Sequence, residues 1–262
     1  ALRQALSEGG GARAGGLKKR VAATLEQAAR FRGMVVSGRF ALVFQPVVAL
    51  ADRAIHHHEV LVRFPDGKSP FETIRMAESL DLIAELDLAV LKQALKRLKS
   101  DPDPALSLAV NMSARSLSSP AFVTEASRLL VPSLADRLLV EITESATLQD
   151  VDAAGRVLAR WRKDGFDLCL DDFGQGAASM DMLRRLPVST VKIDGAYVKD
   201  MTADPASLAV VKSVARLCRD LNKRSVAEMV ETEETHAALL ALGVDYGQGW
   251  LYGKAAPEPL RD

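Results

Sequence analysis

The sequence predicts an α/β fold, a (β/α)8 barrel with an irregular, antiparallel first strand, preceded by an N-terminal helix. About eight short apolar segments alternate with helical patterns along the chain, as expected for successive βα units. Polar residues recur at the ends of those segments, where a barrel places its site. The first two segments are joined only by 51–53, which is too short for a parallel crossover. A doubly wound sheet is the alternative.

The composition suits one large domain and argues against several classes of protein. The 262 residues are 48% hydrophobic, and 34 basic residues balance 34 acidic ones. This balance argues against binding to a DNA or RNA polymer or to an anionic membrane. Cys169 and Cys218 lie far apart without a CxxC motif, which favours free thiols in a cytoplasmic domain. The longest apolar run, near 237–244, is too short to span a bilayer, and a place in a larger membrane-anchored or multidomain protein stays open.

The N-terminal region divides into a lead-in and a helix. Residues 1–16 are rich in Gly, Ala and Arg, so we expect a flexible segment. A helix is expected over 17–38, because its apolar residues recur with the period of a single helical stripe. The stripe consists of Leu17, Val21, Leu25, Ala28, Phe31 and Val35. This stripe is explained by a helix that packs on the following barrel domain, which is expected to comprise residues 39–262. The alternative is that the stripe belongs to the end of a longer dimerising helix.

The barrel elements then follow in order. The first strand, 41–49, contains Pro46, which suggests an edge or irregular position, and it forms a hairpin with the second strand, 54–64. Ser69 and Pro70 are typical of a helix start. The other strands are expected at 105–111, 137–144, 167–171, 190–194, 224–228 and 246–252. Helices are expected from 70 to about 99 and, after the strand at 105–111, in a region up to about 131. Further helices are expected at 150–163, 179–186, 205–222 and 232–242.

Two adjacent carboxylates, Asp171 and Asp172, end the strand at 167–171. At an effective dielectric constant of about 20, two such charges about 4 Å apart repel by roughly 4 kcal/mol. A cation or a proton would relieve that repulsion. The alternative is a polar turn in which one Asp caps the next helix.

Further polar residues recur at strand ends, and the whole set could form one site. It consists of Glu59, Asn111, Glu141, Asp171, Asp172, Lys192, Glu228 and Gln248. Carboxylate and amide oxygens suit Mg²⁺, Mn²⁺ or Ca²⁺, and two such ions could hold a phosphate and activate a water. Lys192 and Arg63 would balance the charge of a phosphodiester. As alternatives, Glu141 and Glu144 could be exposed charges at a helix start and Lys192 a surface residue.

Three consecutive histidines, 56–58, also suggest a metal site. On a regular strand His57 points away from both neighbours, so the three rings cannot face one ion. We therefore expect structural or surface roles for them.

Eight short motifs between about 40 and 257 carry a family resemblance. In chain order they are Gln45-Pro46, Glu59-Val-Leu-Val-Arg63, Asn111-Met-Ser113, Glu141-Ile-Thr-Glu144, Asp171-Asp-Phe-Gly174, Lys192-Ile-Asp194, Ala227-Glu-Met-Val-Glu231 and Gln248-Gly249. Together they resemble the EAL domain, the bacterial cyclic-di-GMP phosphodiesterase family, with Val60 in place of the Ala of E-A-L. The resemblance implies a TIM-like (β/α)8 barrel.

The resemblance also implies roles for these residues. Metal ligands for one or two Mg²⁺ or Mn²⁺ ions would be Glu59, Asn111, Glu141, Asp171, Asp172 and Glu228. The catalytic group would comprise Glu59, Asp172, Lys192 and Glu228, with Lys192 orienting the attacking water or a phosphate oxygen. Contacts to cyclic-di-GMP would come from Gln45, Leu61, Arg63, Asp194 and Gln248. Glu144 would anchor the loop that follows Asp172.

Two departures from the family pattern bear on activity. The family reads T-G-Y-S-S after D-D-F-G, whereas this chain has Gln175-Gly-Ala-Ala-Ser179, and Met229 replaces a glycine. We therefore expect a cyclic-di-GMP receptor with weak or no hydrolysis. The alternatives are an active phosphodiesterase that forms pGpG and a scaffold without ligand. A homodimer and, for a receptor, flagellar or pilus assembly proteins are the partners that the resemblance suggests.

Overall fold

The strands form a single sheet that closes on itself as a barrel. The computed structural model describes residues 21–67, 69–143, 151–174 and 179–261. Strands follow one another around the barrel in chain order. They are β1 (Ala41–Ala49), β2 (Ile55–Arg63), β3 (Leu108–Met112), β4 (Leu138–Thr143), β5 (Asp167–Phe173), β6 (Thr190–Ile193), β7 (Arg224–Ala227) and β8 (Tyr246–Gln248). The predicted barrel is confirmed, and the doubly wound sheet is excluded because that sheet stays open.

The first strand runs against all the others, as predicted. β1 pairs antiparallel with β2 and with β8, whereas the remaining neighbours pair parallel. Of the two positions predicted for Pro46, the edge is excluded because β1 has a partner strand on each side, and the irregular position is confirmed. The register shifts beside this proline, since Val47 is opposite His57 but Val48 is opposite Ile55. His56 is therefore an extra residue in β2, a bulge.

The helices cover the outside of the barrel. The first, α1, spans residues 21–36 of the described chain. The others are α2 (Pro70–Ser79), α3 (Ile83–Ser100), α4 (Ala114–Leu117), α5 (Pro120–Leu129), α6 (Val151–Lys163), α7 (Ser179–Arg185), α8 (Gly195–Asp200), α9 (Pro205–Asp220) and α10 (Glu233–Ala241), with a 3-10 helix at Pro132–Arg137. The Ser69 hydroxyl accepts a hydrogen bond from Phe71 N at 3.4 Å, so the predicted helix start is confirmed.

Helix α1 packs on the domain through its C-terminal half. Phe31 and Val35 are 3% and 6% exposed and belong to the main hydrophobic core. Val21 and Leu25, earlier in the same stripe, are 50% and 66% exposed. Residues 1–20, with the expected lead-in and the first turn of the expected helix, lie outside the described residues. Self-association through α1 stays a prediction.

Two elements near the site differ from the expectation. β6 ends at Ile193, and Asp194 is instead the N-cap of α8, where its Oδ1 accepts a hydrogen bond from Ala196 N at 2.6 Å. β8 ends at Gln248 rather than at residue 252, because the chain turns at Gly249. A Cβ on Gly249 would lie 2.1 Å from Val230 O, so only glycine permits this close approach of two backbone segments.

The core consists of apolar side chains between the barrel and its helices. Trp161 is 1% exposed, and its indole N–H donates a hydrogen bond to Ser127 Oγ at 3.1 Å. Cys169 and Cys218 are free and buried, consistent with the expectation of free thiols. Among the described helices, none is both long and apolar enough to cross a membrane.

Candidate active site

The carboxyl ends of the parallel strands bring the predicted polar residues together inside the barrel. Glu59 comes from β2, Glu141 from β4, Asp171 from β5 and Lys192 from β6. Glu228 directly follows β7. These five side chains reach one centre because residues two apart on a strand face the same side and parallel strands end at the same rim.

Lys192 lies at the middle of this acid cluster. Its side chain is 1% exposed, and its Nζ is within 3.3 Å of four carboxylates. The distances are 2.9 Å to Glu228 Oε1, 3.0 Å to Asp171 Oδ1, 3.2 Å to Glu59 Oε2 and 3.3 Å to Glu141 Oε2. Burial lowers the pKa of Lys192, but the four acids outweigh burial and raise that pKa well above its ordinary value. The alternative of a surface lysine is therefore wrong.

Glu59 is the best-bonded acid of the cluster. Asn111 Nδ2 donates a hydrogen bond to its Oε1 at 2.8 Å, and Gln248 Nε2 donates one to its Oε2 at 2.6 Å. Burial opposes ionisation, but Lys192 and the two amides outweigh it, so the pKa of Glu59 is lowered. This carboxylate is therefore the one that the protein holds most firmly in its charged form.

The other acids are harder to ionise, in each case first because of burial. Burial and the neighbouring acids raise the pKa of Glu141 well above its ordinary value, and that of Asp171 is also raised. The pKa of Glu228 rises to about 7 and that of Asp172 to about 6. The alternative of an exposed charge at Glu141 is wrong, since this residue is 1% exposed.

This donor set fits divalent cations. Glu59, Glu141 and Asp171 offer carboxylate oxygens within 4.8 Å of one another, and so do Asp171, Asp172 and Glu228. Asp171 belongs to both groups. This is the position expected of a carboxylate that two neighbouring ions share. Such oxygens are the preferred ligands of Mg²⁺ and Mn²⁺.

Orphaned oxygen atoms support the same fit. Asn111 Oδ1, Gln248 Oε1 and Asp194 Oδ2 are buried and have no hydrogen-bond partner among the described residues. The amide nitrogens of Asn111 and Gln248 both bond Glu59, so their oxygens remain as acceptors. A cation would satisfy a buried oxygen that otherwise loses its hydration.

The end of β5 has an unusual backbone. Asp172 has a φ of 55° and Gly174 a φ of 115°. Tyr197, on α8, donates a hydrogen bond from its hydroxyl to Gly174 O at 3.1 Å. This contact fixes the second residue after the two aspartates. The alternative in which one of these aspartates caps the next helix is wrong, because the strand β5 continues to Phe173 and no helix begins directly after either aspartate. The loop residues 175–178 and the expected loop anchor Glu144 lie outside the described residues.

A cavity of about 480 Å³ opens at the mouth of the barrel above the acids. Its lining includes Gln45, Leu61, Gln248, Met229 and the indole of Trp250. Gln45 Nε2 donates a hydrogen bond to Gly253 O at 3.3 Å, and Lys254 Nζ lies 4.6 Å from the centre of the Trp250 ring. The cavity therefore combines polar groups and exposed apolar surface, and the ammonium group of Lys254 lies nearby.

Met229 narrows this mouth in a strained conformation. Its φ is 54°, a region that L-residues other than Gly, Asn and Asp seldom occupy. Its side chain packs on Gly195, since a Cβ on that glycine would lie 2.3 Å from Met229 Cγ. Methionine in place of the family glycine at position 229 therefore packs the segment after β7 against the start of α8.

Two predicted ligand contacts lie apart from the central cluster. Arg63 is half-buried at the end of β2, where its guanidinium donates a hydrogen bond to Val62 O at 2.9 Å. Asp194 caps α8 and raises the pKa of Asp172 by its charge, after burial and Asp171. No contact joins Arg63 to the described acids, so its role as a ligand contact stays a prediction.

The histidines behave differently from the expectation for a regular strand. The bulge at His56 lets its ring meet that of His57, with 2.7 Å between the two Nδ1 atoms. His57 and His58 are each 3% exposed, so a surface role is wrong for both.

Sequence reasoning missed two supporting residues, Asp87 and Tyr197. Asp87, on α3, is 8% exposed and accepts hydrogen bonds from Ser113 N at 2.8 Å and Ser116 Oγ at 2.6 Å. Burial raises its pKa to about 7. An acidic residue within the apolar stripe of α3, next to Leu86, was the signal that could have identified it. Tyr197 gave no such signal, because it lies on a helix of six residues.

Comparisons with known proteins agree with this geometry. The model of the EAL domain matches residues 28–255. The chain is 34% identical over 232 residues to cyclic di-GMP phosphodiesterase PA2567 of Pseudomonas aeruginosa, covering 85% of this chain and 40% of that protein. It is also 34% identical over 244 residues to cyclic di-GMP phosphodiesterase PdeB of Shewanella oneidensis, covering 89% of this chain and 28% of that protein. The chain thus spans less than half the length of these two relatives.

A solved structure extends the likeness to three dimensions. The PaMucR phosphodiesterase, solved as its complex with c-di-GMP, matches with a TM-score of 0.78 and 31% sequence identity. The match covers 88% of this chain and 98% of that one. With the family model matched over most of its length, the barrel closed in the same way and the acids gathered at one mouth, this chain belongs to the EAL domain family.

Proposed function

We propose that this domain binds cyclic di-GMP and hydrolyses it to the linear dinucleotide pGpG with the help of two divalent cations. The observation that carries the proposal is the pair of carboxylate groups that share Asp171. A receptor needs only groups that hold its ligand, whereas a doubled set of hard ligands suits phosphodiester hydrolysis. The relatives named above as cyclic di-GMP phosphodiesterases support the same substrate.

Each group has a role in this hydrolysis. Glu59, Glu141, Asp171, Asp172 and Glu228, with Asn111 Oδ1, would hold the cations, Mg²⁺ or Mn²⁺. When bound, the cations supply charge neutralisation at the phosphate and a more acidic water. The water oxygen adds to phosphorus as one P–O ester bond breaks, and the proton that the water gives up ends on the released ribose oxygen.

The remaining residues orient the reactants. Lys192 lies where its ammonium can orient the attacking water or a phosphate oxygen, since it already contacts four of the acids. Gln45, Leu61 and Gln248 line the cavity where the nucleotide would lie. Arg63 and Asp194 at the rim would add contacts to the phosphate and to a base.

A receptor with slow turnover is the second candidate, and Met229 favours it. This side chain lines the cavity beside Glu228, and its backbone is held in a strained conformation. The loop of residues 175–178 also lacks the hydroxyl groups of the family pattern. A ligand group displaced by about 1 Å can slow a reaction on the order of a hundredfold without loss of ground-state binding. In that case a partner, such as a flagellar or pilus assembly protein or a second copy of the chain, would respond to the bound nucleotide.

Calorimetry with cyclic di-GMP, with and without Mn²⁺, followed by chromatography of the products, separates the two candidates. Glu141→Gln removes one ligand of the first carboxylate group, and Glu234→Gln removes an exposed carboxylate on α10 as the matched control. We expect Mn²⁺-dependent pGpG formation by the wild type and the control but a loss of at least a hundredfold in Glu141→Gln. Binding without product in saturating Mn²⁺ would support the receptor, and no binding would refute both.

A further inference from the structure

A buried imidazole lies directly beneath the acid cluster. His57 is on β2, two residues before Glu59, and faces the barrel interior. It is 3% exposed, and its Nε2 has no hydrogen-bond partner among the described residues. Glu141 Oε1 lies 3.9 Å from this atom. A buried nitrogen without a bond is costly, so its position beside a metal-ligand carboxylate needs an explanation.

The neighbouring histidine determines which nitrogen of His57 carries the proton. The two Nδ1 atoms of His56 and His57 are 2.7 Å apart, so one donates and the other accepts. At that distance a single proton lies between the two Nδ1 atoms. If His57 donated through Nδ1, its bare Nε2 would face Glu141 Oε1, and two acceptors would meet as soon as Glu141 is ionised to hold a cation.

The opposite arrangement gives both Nδ1 atoms a partner and places a donor on the side of the His57 ring that faces Glu141. His56 then donates from Nδ1, His57 accepts at Nδ1, and the proton of His57 is on Nε2 and points towards Glu141 Oε1. The bulge in β2 makes this possible because it turns two consecutive rings towards each other. His56 is fixed in turn by Tyr246, whose ring centre is 4.4 Å away.

Glu141 is thereby held on both sides. Its Oε2 is 3.3 Å from Lys192 Nζ, and its Oε1 faces His57 Nε2. The 3.9 Å between Nε2 and Oε1 is longer than a hydrogen bond, and a small turn of the carboxylate towards Nε2 when it holds a cation would close that bond and define the plane of the carboxylate. Outer partners of metal ligands typically affect metal affinity or activity by about 10–100-fold.

We propose that His57 is a positioning residue that orients the carboxylate of Glu141 for metal binding through its Nε2–H, with His56 setting its tautomer. This inference rests on the proposed metal-dependent function of the same site. The histidines then bind no ion themselves, and His57 supports one ligand of the neighbouring cations.

Two variants of His57 separate positioning from packing. His57→Leu fills a similar volume without a donor, whereas His57→Gln places an amide N–H near the position of Nε2. His236→Leu is the matched control, because His236 is also buried but bonds Tyr252 outside the acid cluster. Measurements are Mn²⁺ affinity by calorimetry, unfolding midpoint in urea, and kcat and KM for cyclic di-GMP.

We expect His57→Leu to weaken Mn²⁺ binding by about 10–100-fold and to lower kcat more than it changes KM. His57→Gln should recover most of the affinity at an equal or lower unfolding midpoint, and His236→Leu should bind Mn²⁺ as the wild type does. Nitrogen NMR of the Mg²⁺-bound wild type should show the Nε2–H tautomer of His57.

Three results would overturn the inference. They are wild-type Mn²⁺ affinity in His57→Leu, equal affinity losses in the Leu and Gln variants, and an Nδ1–H tautomer of His57. If the wild type binds Mn²⁺ and forms pGpG, any of these results removes the positioning role and leaves the proposed function intact. If the wild type binds no Mn²⁺, both proposals fall together.

Discussion

The contact between Met229 and Gly195 can be tested by a double-mutant cycle. A Cβ on Gly195 would lie 2.3 Å from Met229 Cγ, 2.4 Å from Sδ and 2.9 Å from Cβ. Rotation of the methionine can move its Cγ and Sδ but not its Cβ. Gly195→Ala in the wild-type background therefore forces the backbone apart, and overpacking of this kind costs about 1–3 kcal/mol.

The same substitution should be harmless when residue 229 is glycine. All three of the heavy atoms that lie closest to the added Cβ belong to Met229, so they disappear in Met229→Gly. That change alone relieves a φ of 54°, which contributes about 1–2 kcal/mol of stability. It also loses a side chain that is 45% exposed, whose partial burial is worth on the order of 1 kcal/mol. We therefore expect Met229→Gly to be nearly neutral and the coupling energy to be about 1–3 kcal/mol.

Urea unfolding of the wild type, both single variants and the double variant gives this coupling energy. Gly33→Ala on α1 supplies the control, because its added Cβ meets no atom within 4 Å and its effect should add to that of Met229→Gly. A coupling energy below about 0.5 kcal/mol between positions 195 and 229 would refute the packing argument. Met229→Gly should also raise kcat more than affinity if this side chain slows turnover.

Three further changes test other parts of the site. Arg63→Ala should weaken cyclic di-GMP binding by about 1.5–3 kcal/mol, as for a lost charge-assisted hydrogen bond, whereas Arg128→Ala on an exposed helix face should leave calorimetric affinity unchanged. Burial raises the pKa of Asp87 to about 7 in the folded protein, well above that of a free aspartate, so its contribution to stability is complete below about pH 4 and falls as the pH rises to 7. Asp87→Asn should therefore lessen the loss of unfolding free energy between about pH 4 and pH 7, and an unchanged pH profile would contradict the buried, protonated acid. Tyr197→Phe removes the hydrogen bond to Gly174 O and should cost about 1 kcal/mol of stability. It should also lower kcat or Mn²⁺ affinity, by more than that loss of stability explains. Wild-type kcat together with wild-type Mn²⁺ affinity in this variant would show that Tyr197 does not support the site.

The sequence was sufficient for the architecture and for most of the acid cluster. Alternation along strands and the position of strand ends predicted that Glu59, Glu141 and Asp171 would meet, because those rules depend only on local geometry. They could not decide between a buried and an exposed Lys192. That outcome depends on four carboxylates that arrive from four different places in the chain.

The missed features all depend on contacts distant in sequence or on very short elements. The meeting of His56 and His57 follows from the register between β1 and β2, which alternation within one strand cannot reveal. The early end of β8 follows from the approach of Gly249 to the backbone of Val230. Helix α8 has six residues, too few to show an amphipathic period.

Closure through β1 also has a consequence for how the protein is synthesised. Phe44 exchanges backbone hydrogen bonds with Ala256 at 2.8 and 3.0 Å, and Gln45 bonds Gly253, 208 residues later in the chain. The ring therefore cannot close on a ribosome-bound chain until its last strand and the segment after it have emerged. Until then β1 can pair only with β2, and Glu59 lacks the amide of Gln248. A nascent or prematurely terminated chain would thus hold most of the acids but not the finished mouth, so the proposed binding of a nucleotide would begin only when translation of the domain is complete.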